Sequence, residues 1–362
     1  MCDAEFSEPL QQVDRVYVQV GKRHLLYFGG CDYHRLSSDP RITGAVHSSI
    51  DAYGLVTAAS RKTTGNHRLF EIAEKLAAKY FGAERAVLLS SGYLANIALG
   101  QTLRGTIERA FVDERCHGSV FDGLQFVDCQ ITKFRHRDPL DLRRKMRGKR
   151  HPAMLIITDG IFAFDGSVAP LFAYRAVAGP RPLLWVDDAH AGGVMGRRGQ
   201  GSIEAAGIQR RNVIQTITFS KAFGVYGGAI LCDRKLRSAV ISRSSAIAGN
   251  TPLPLPLTAG ILESLRILPG PHLRRLRANI QLFWRSLSRE PENVCSPIIA
   301  VGHSAALSRA LLSAGIYPPA IRYPGGPAGG YFRFALSSAH RPEQVVRLAE
   351  TIKGTRARIL SS

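Results

Sequence analysis

LLWVDDAH at residues 183–190 and VIQTITFSK at residues 213–221 decide the fold, because each is a short, largely apolar run that ends in polar side chains. Runs of this kind are typical of strands buried on both faces of a parallel sheet. The sequence predicts strands at 85–89, 110–112, 131–134, 154–158, 183–186, 214–218 and 228–232. Because longer amphipathic stretches separate these runs, we expect an α/β protein with βα units around a large, mostly parallel sheet.

A proline-rich segment divides the 362-residue chain into a larger and a smaller part. Residues 250–256 include three prolines, which lack the backbone N–H that a continuing helix or strand needs. A helix is predicted from about 257 to 288, followed by strands that alternate with helices. We therefore expect an N-terminal segment at 1–45, a large α/β domain at 46–250, and an interdomain helix with a small α+β domain at 251–362.

The chain is strongly basic, with 48 Lys and Arg residues against 28 Asp and Glu residues and a net charge of +20. Such a charge attracts any polyanion and does not identify one. Two basic clusters, at 143–150 and 274–277, have no interleaved aromatic residues. We interpret both as solvated helix faces and expect no specific nucleic-acid site.

The spacing of the cysteines and the length of the apolar runs predict whether the protein binds metal and where it is located. The six cysteines are single and scattered, which predicts reduced thiols and no metal site. No apolar run reaches 18 residues, and the N-terminal stretch has no basic segment followed by an apolar one. We therefore expect no membrane span and a cytoplasmic location.

The polar residues that follow the predicted strands are the candidates for chemistry, because ligands of open α/β sheets bind beyond the carboxyl ends of the strands. Ser91-Gly92-Tyr93 follows one strand and opens a helix, where backbone N–H groups and the helix dipole favour a phosphate. Asp187 could keep a pyridine nitrogen protonated, and Lys221, desolvated after a buried strand, could form a Schiff base. Together these groups meet the requirements of pyridoxal 5′-phosphate (PLP) chemistry.

Each feature has an ordinary structural interpretation when it is taken alone. Gly92 could be a turn glycine, His117 a loop histidine, and Asp187 with Asp188 a helix N-cap pair. The conjunction in chain order is what favours a cofactor site.

Several longer segments are similar to one known family. They are LLSSGYLAN at 88–96, VDERCHGS at 112–119, IFAFDGSVAPL at 161–171, VDDAHAGGVMGRRGQG at 186–201, TFSKAFGVYGGA at 218–229, AIRYPGGP at 320–327 and FRFALSSAH at 332–340. On these segments the chain resembles the α-oxoamine synthases, fold type I PLP enzymes that include 8-amino-7-oxononanoate synthase and serine palmitoyltransferase. The resemblance implies PLP-dependent condensation of an amino acid with an acyl-CoA, or an acyl carrier protein thioester, to give an α-aminoketone, coenzyme A and carbon dioxide.

The resemblance also implies roles for individual cofactor-binding residues. Lys221 would bind the cofactor covalently and move the α-proton, and Asp187 would hold the pyridine nitrogen. His117 would stack on the ring, and His190 would bond the ring hydroxyl. The expected phosphate contacts are Ser91, Gly92, Tyr93, Thr218 and, from the partner subunit of a homodimer with its active site at the interface, the residue at the position of Thr251.

The implied substrate contacts are three residues outside this cofactor set. Arg333 would pair with the amino acid carboxylate as a bidentate fork, a task that suits arginine better than lysine. Arg322 and Cys31 are the other two expected contacts.

The chain departs from the family pattern near the substrate. Cys31 replaces the Asn of an N-x-Y-L-G-like segment, which here reads CDYHR at 31–35. Ala163 replaces a Ser, and GGP at 325–327 replaces a T-V-P turn. We therefore expect the family chemistry on different substrates, in a specialised metabolite or signalling pathway.

Three alternatives stay open at this point. One is another fold type I reaction, namely transamination or retro-aldol cleavage of a small amino acid. The others are a catalytically silent partner subunit and a charge-driven nucleic-acid binder.

Overall fold

A small antiparallel sheet opens the fold. The computed structural model describes residues 9–148, 153–268, 270–289, 295–322 and 326–360. The first sheet is formed by β1 (Gln11–Gln12), β2 (Tyr17–Val20) and β3 (Arg23–Leu26), and two helices follow, α1 (Pro40–Tyr53) and α2 (Arg68–Phe81). Sequence analysis did not predict this sheet, because its strands are short and partly exposed.

A seven-stranded sheet forms the centre of the described structure. Its strands are β4 (Arg85–Leu89), β5 (Arg109–Asp113), β6 (Gln130–Phe134), β7 (Met154–Asp159), β8 (Leu183–Asp187), β9 (Val213–Thr218) and β10 (Gly228–Cys232). The spatial order is β4-β10-β9-β8-β7-β5-β6. In this sheet β10 runs in the opposite direction to the other six strands. The predicted mostly parallel sheet is confirmed.

Burial on both faces explains the apolar strand sequences. In β8, Trp185 packs into the core on one face of the sheet, while Leu184 and Val186 pack into the core on the other face. Seven helices lie between or after these strands: α3 (Gly92–Leu103), α4 (Gly118–Leu124), α5 (Pro139–Met146), α6 (Leu171–Ala178), α7 (Ser202–Ala205), α8 (Arg234–Arg243) and α9 (Ser245–Ala248).

α3 and α4 approach each other closely enough to bring two site segments together. A Cβ at Gly100 would lie 1.9 Å from the carbonyl oxygen of Gly123, so the two helix backbones touch only because both residues are glycines. This contact places Asn96 of α3 beside Ser119 of α4.

The C-terminal part contains a second antiparallel sheet. Its elements are α10 (Leu255–Ile267), α11 (Pro271–Ser286), β11 (Ile298–Gly302), α12 (Ala305–Ser313), β12 (Ala320–Ile321), β13 (Tyr331–Ala335) and α13 (Pro342–Gly354), with strand order β11-β13-β12. The single helix predicted at 257–288 is wrong. Pro271, which cannot donate a helical hydrogen bond, instead begins a second helix. The predicted domain boundaries stay a prediction.

The two basic clusters differ in their surroundings. Residues 143–145 lie in the last turn of α5, where cations complement the helix dipole, whereas Lys149 and Arg150 lie outside the described residues. The interpretation of 274–277 as a wholly solvated face is wrong, because Arg277 is partly buried and donates to the carbonyl of Gly196. No helix of the described residues has the length and apolar character to cross a bilayer.

Candidate active site

Three adjacent strand ends form the edge of the sheet on which the predicted site lies. Asp159 ends β7 and Asp187 ends β8, and the two residues are paired in register. β9 ends at Thr218, three residues before Lys221. Polar residues that are far apart in the sequence therefore meet at one place.

Lys221, His190 and Tyr33 form a buried chain of contacts. Lys221 Nζ lies 2.8 Å from His190 Nε2, and His190 Nδ1 lies 2.7 Å from the hydroxyl oxygen of Tyr33. Burial lowers the pKa of Lys221 and holds the pKa of His190 well below its ordinary value. Burial also raises the pKa of Tyr33 well above its ordinary value, so the hydroxyl stays protonated. This environment favours a neutral, nucleophilic amine on Lys221.

Asp187 is fixed by a donor on each carboxylate oxygen. Asn96 Nδ2 donates to Oδ2 at 2.7 Å, and the backbone N–H of Ala189 donates to Oδ1 at 2.9 Å. The side chain is buried, and the hydrogen bonds set its orientation. A carboxylate held in this way is suited to pair with a protonated ring nitrogen.

His117 belongs to the same network through Ser119. Asn96 Nδ2 donates to Ser119 Oγ at 2.8 Å, and Ser119 Oγ lies 2.7 Å from His117 Nδ1. The backbone N–H of Ser119 also donates to His117 Nδ1, at 3.2 Å. Burial lowers the pKa of His117, so the ring is neutral and carries its proton on Nε2.

Asp159 anchors the backbone beside His117. The backbone N–H of His117 donates to both carboxylate oxygens of Asp159, at 3.3 and 3.1 Å. Burial, followed by the nearby Asp187 carboxylate, raises the pKa of Asp159 well above its ordinary value. Asp159 therefore acts on the position of His117 rather than as a second free anion.

The start of α3 forms a cradle against the end of β9. Ser91 Oγ accepts the backbone N–H of Leu94 at 3.1 Å and caps the helix. A Cβ on Gly92 would lie 2.9 Å from Thr218 Cβ, so only glycine allows this approach without a shift. Tyr93 is exposed and donates its hydroxyl to Asp122.

Arg333 lies where two departures from the family pattern meet. Its Nη1 donates to the carbonyl oxygen of Ala163 at 3.0 Å, and its Nη2 lies 4.0 Å from Cys31 Sγ. Cys31 is also among the groups that act electrostatically on Lys221. The structure thus brings Cys31, Ala163 and Arg333 together beside the catalytic candidates.

Three of the predicted site residues are exposed, namely Tyr93, Thr251 and Arg322. Thr251 precedes α10, and Arg322 follows β12. Their predicted roles therefore stay predictions. Gly325, part of the predicted GGP turn, lies outside the described residues.

Sequence analysis assigned no role to Asn96, Asp159 or Tyr33, although each contacts a predicted site residue. Asn96 could have been suspected as a polar residue within the apolar stretch of α3, and Asp159 because it ends a buried strand as Asp187 does. Tyr33 is the Tyr of the N-x-Y-L-G-like segment, but its contact with His190 could not be predicted because the two residues are 157 positions apart in the chain.

The residues present fit PLP by their chemistry. Lys221 supplies a buried amine, Asp187 a fixed carboxylate and His117 a neutral ring, while the glycine cradle at α3 presents backbone N–H groups for a phosphate. These residues together supply the amine, the carboxylate, the ring and the phosphate donors that the cofactor requires.

Comparisons with known proteins agree with this geometry. The family model "Aminotransferase class I and II" matches residues 25–352. The 8-amino-7-oxononanoate synthase of Trichlorobacter lovleyi is 33% identical over 361 residues, covering 95% of this chain and 92% of the relative. Serine palmitoyltransferase from Sphingomonas wittichii superposes with a TM-score of 0.87 at 27% identity, covering 94% of this chain and 90% of that one. A serine palmitoyltransferase from S. paucimobilis, bound to an adduct of PLP and myriocin, gives a TM-score of 0.87 at 27% identity, covering 95% and 90%.

Proposed function

Because the chain belongs to the α-oxoamine synthases of the aminotransferase class I and II family, we propose that Lys221, Asp187, His190 and His117 form its PLP-dependent catalytic site. The enzyme is a C-acyltransferase that condenses an amino acid with an acyl thioester, with loss of carbon dioxide. The contact of the buried Lys221 amine with His190, beside the fixed Asp187 carboxylate, is the observation that carries the residue assignment.

The contacts of these residues support the roles that the family resemblance implies. When bound, PLP withdraws electrons from the α-carbon of the amino acid. Asp187, fixed by Asn96, would hold the ring nitrogen in its protonated form. Lys221 Nζ would remove and return the α-proton, since burial lowers the pKa of the amine and favours its neutral form. His117, whose backbone N–H is held by Asp159, would support the face of the ring.

The remaining cofactor contacts follow from the α3 cradle. Ser91 and Gly92 turn the first N–H groups of α3 towards the phosphate, and Thr218 closes the cradle. Thr251 would reach the phosphate bound by a partner subunit, so the proposal includes a homodimer. The exposure of Thr251 in the single chain supports this part.

The residues around Arg333 support substrates different from those of 8-amino-7-oxononanoate synthase. Arg333 would bind the amino acid carboxylate, and two residues that it contacts, Ala163 and Cys31, stand where the family has a polar side chain. Removing an amide and a hydroxyl beside one guanidinium changes the volume and polarity next to the bound amino acid. We therefore keep the proposal of a specialised metabolite or signalling product.

Release of free thiol tests the proposed reaction. Purified enzyme loaded with PLP is mixed with a matrix of acyl-CoA or acyl carrier protein thioesters and amino acids. Thiol release that needs both substrates is the expected result, and it identifies the pair. Thiol release from no pair, with the cofactor bound, contradicts the synthase and favours transamination or retro-aldol cleavage.

Tyr33→Phe is expected to lower kcat about tenfold with little change in the KM of the amino acid. The Tyr33 hydroxyl lies 2.7 Å from His190 Nδ1, and by donating there it would keep the histidine proton on Nε2, the atom that faces Lys221. Loss of one buried hydrogen bond of about 1–1.5 kcal/mol corresponds to this factor. A pH titration of the visible absorbance of bound PLP should shift in the same variant.

Tyr80→Phe is the matched control for this substitution. Tyr80 is also buried, but its hydroxyl donates to the carbonyl of Gly199 at 3.3 Å, away from His190. Equal kinetics and equal titration curves in the two variants would show that Tyr33 has no positioning role.

A further inference from the structure

A cavity of about 550 Å³ lies between the N-terminal segment, α11 and the start of α13. We refer to it as the junction cavity, and the residues used below are Arg15, His34, His272, Arg275 and Arg341. Neither Lys221 nor His190 lines it. Its volume is within the range of small-molecule sites, and it is bounded by three separate parts of the chain.

The charge of the junction cavity is not balanced by its carboxylates. Within the described residues, no carboxylate lies within ion-pair distance of Arg275 or Arg341, whereas Arg15 shares Asp39 at 3.6 Å. The Asp14 carboxylate, which also lines the cavity, accepts the backbone N–H groups of Val16 and Tyr17 at 2.7 and 2.8 Å. The three guanidinium groups therefore outnumber Asp14, the single carboxylate among the described lining residues.

His34 provides a second, independent observation. The ring is fully buried, and its Nε2 is 2.8 Å from the carbonyl oxygen of Gly193, so a neutral ring uses its N–H on that carbonyl. Its Nδ1 has no hydrogen-bond partner in the described structure. An unsatisfied buried nitrogen is costly, and an anionic ligand that recruits a proton to Nδ1 would satisfy it.

His34 departs from the family motif that the segment at 31–35 resembles. The N-x-Y-L-G-like segment has an apolar residue where His34 stands. An apolar residue at this position would pack without any polar requirement, whereas His34 adds a nitrogen between Gly193 and His272. His272 in turn accepts a hydrogen bond on Nδ1 from Arg275 Nη2 at 3.2 Å, which directs a cation towards the cavity.

We propose that the junction cavity binds a small anionic ligand with two or more phosphate groups. Three guanidinium groups on three segments match a ligand that presents several negative oxygens, and arginine is suited to the forked geometry of phosphate. The ligand would hold the N-terminal segment, α11 and α13 together. It would also fix the segment that carries Tyr33, the residue before His34, whose hydroxyl contacts His190.

The test is calorimetric titration of the PLP-loaded enzyme with inorganic pyrophosphate at constant ionic strength and without acyl donor. We expect one saturable site per chain, and a Kd that rises at least about tenfold in Arg275→Ala, because a tenfold change corresponds to about 1.4 kcal/mol and truncating one partner of a charged hydrogen-bonded pair costs at least that much. Arg274→Ala is the matched control, because Arg274 is exposed on the same helix and does not line the cavity. Its Kd should stay within about twofold of the wild type.

Two further arms keep the test decisive. His34→Leu places the family type of residue in the cavity and should weaken pyrophosphate binding while leaving the unfolding temperature of the unliganded enzyme similar. Tighter binding of ADP than of pyrophosphate would support a nucleotide as the ligand, and equal binding would support a free diphosphate. Absence of saturable binding, equal losses in Arg274→Ala and Arg275→Ala, or tighter binding of citrate than of pyrophosphate would overturn the proposal.

Discussion

Lys221→Ala is expected to abolish covalent attachment of PLP and to lower kcat by about three orders of magnitude. The variant loses the only amine that contacts His190 in the described structure, and with it the base for the α-proton. A positioned general acid or base contributes about 10²–10⁴-fold to a rate, which sets the size of the effect. The measurements are the visible absorbance of the reconstituted enzyme and the rate of thiol release.

Lys235→Ala is the control for the loss of one lysine. Lys235 is exposed on α8, so its removal should change neither the absorbance nor the rate. An unchanged visible band in Lys221→Ala, with normal turnover, would remove Lys221 from the site.

Arg333→Ala is expected to raise the KM of the amino acid about 30-fold or more. A bidentate pair between a guanidinium and a carboxylate is a charge-assisted interaction, and truncating one partner of such a pair costs about 2–5 kcal/mol. The KM of the acyl donor and the affinity for PLP should change by less than about threefold, because these contacts lie on other residues. Steady-state kinetics with each substrate varied in turn provide the measurement.

Arg309→Ala controls for a general loss of positive charge. Arg309 is exposed on α12, outside the contacts made by Arg333. Equal amino acid KM values in Arg333→Ala and the wild type would assign the substrate carboxylate to a different residue.

The large sheet and the residues that end its strands could be predicted from the sequence because their signals are local. Buried strands read as apolar runs, and Asp187 ends one such run while Lys221 lies three residues after another. The start of β4 and the limits of β10 coincide with the predicted bounds for the same reason. A phosphate cradle was also predictable, because a glycine between a strand and a helix is a local pattern.

The supporting contacts could not be predicted, because they depend on tertiary packing. Asn96 meets Ser119 where Gly100 lets α3 and α4 touch, and Tyr33 reaches His190 across the fold. The break between α10 and α11 was missed because helical periodicity continues on both sides of Pro271. The backbone conformation of Arg35 could not be predicted either. Its φ is +51°, at a position where the family pattern has glycine. The Arg35 side chain donates to the carbonyl oxygens of Tyr27 and Gly29, each at 3.1 Å.

The fate of the amino acid carboxyl carbon tests the account most directly. The substrate pair found by thiol release is used with the amino acid labelled with ¹³C at the carboxyl group, and labelled carbon dioxide and free thiol are measured together. The account predicts one labelled carbon dioxide for each thiol released, with no label in the product. Label retained in a keto acid, or amino acid cleavage without thiol release, would contradict decarboxylative condensation.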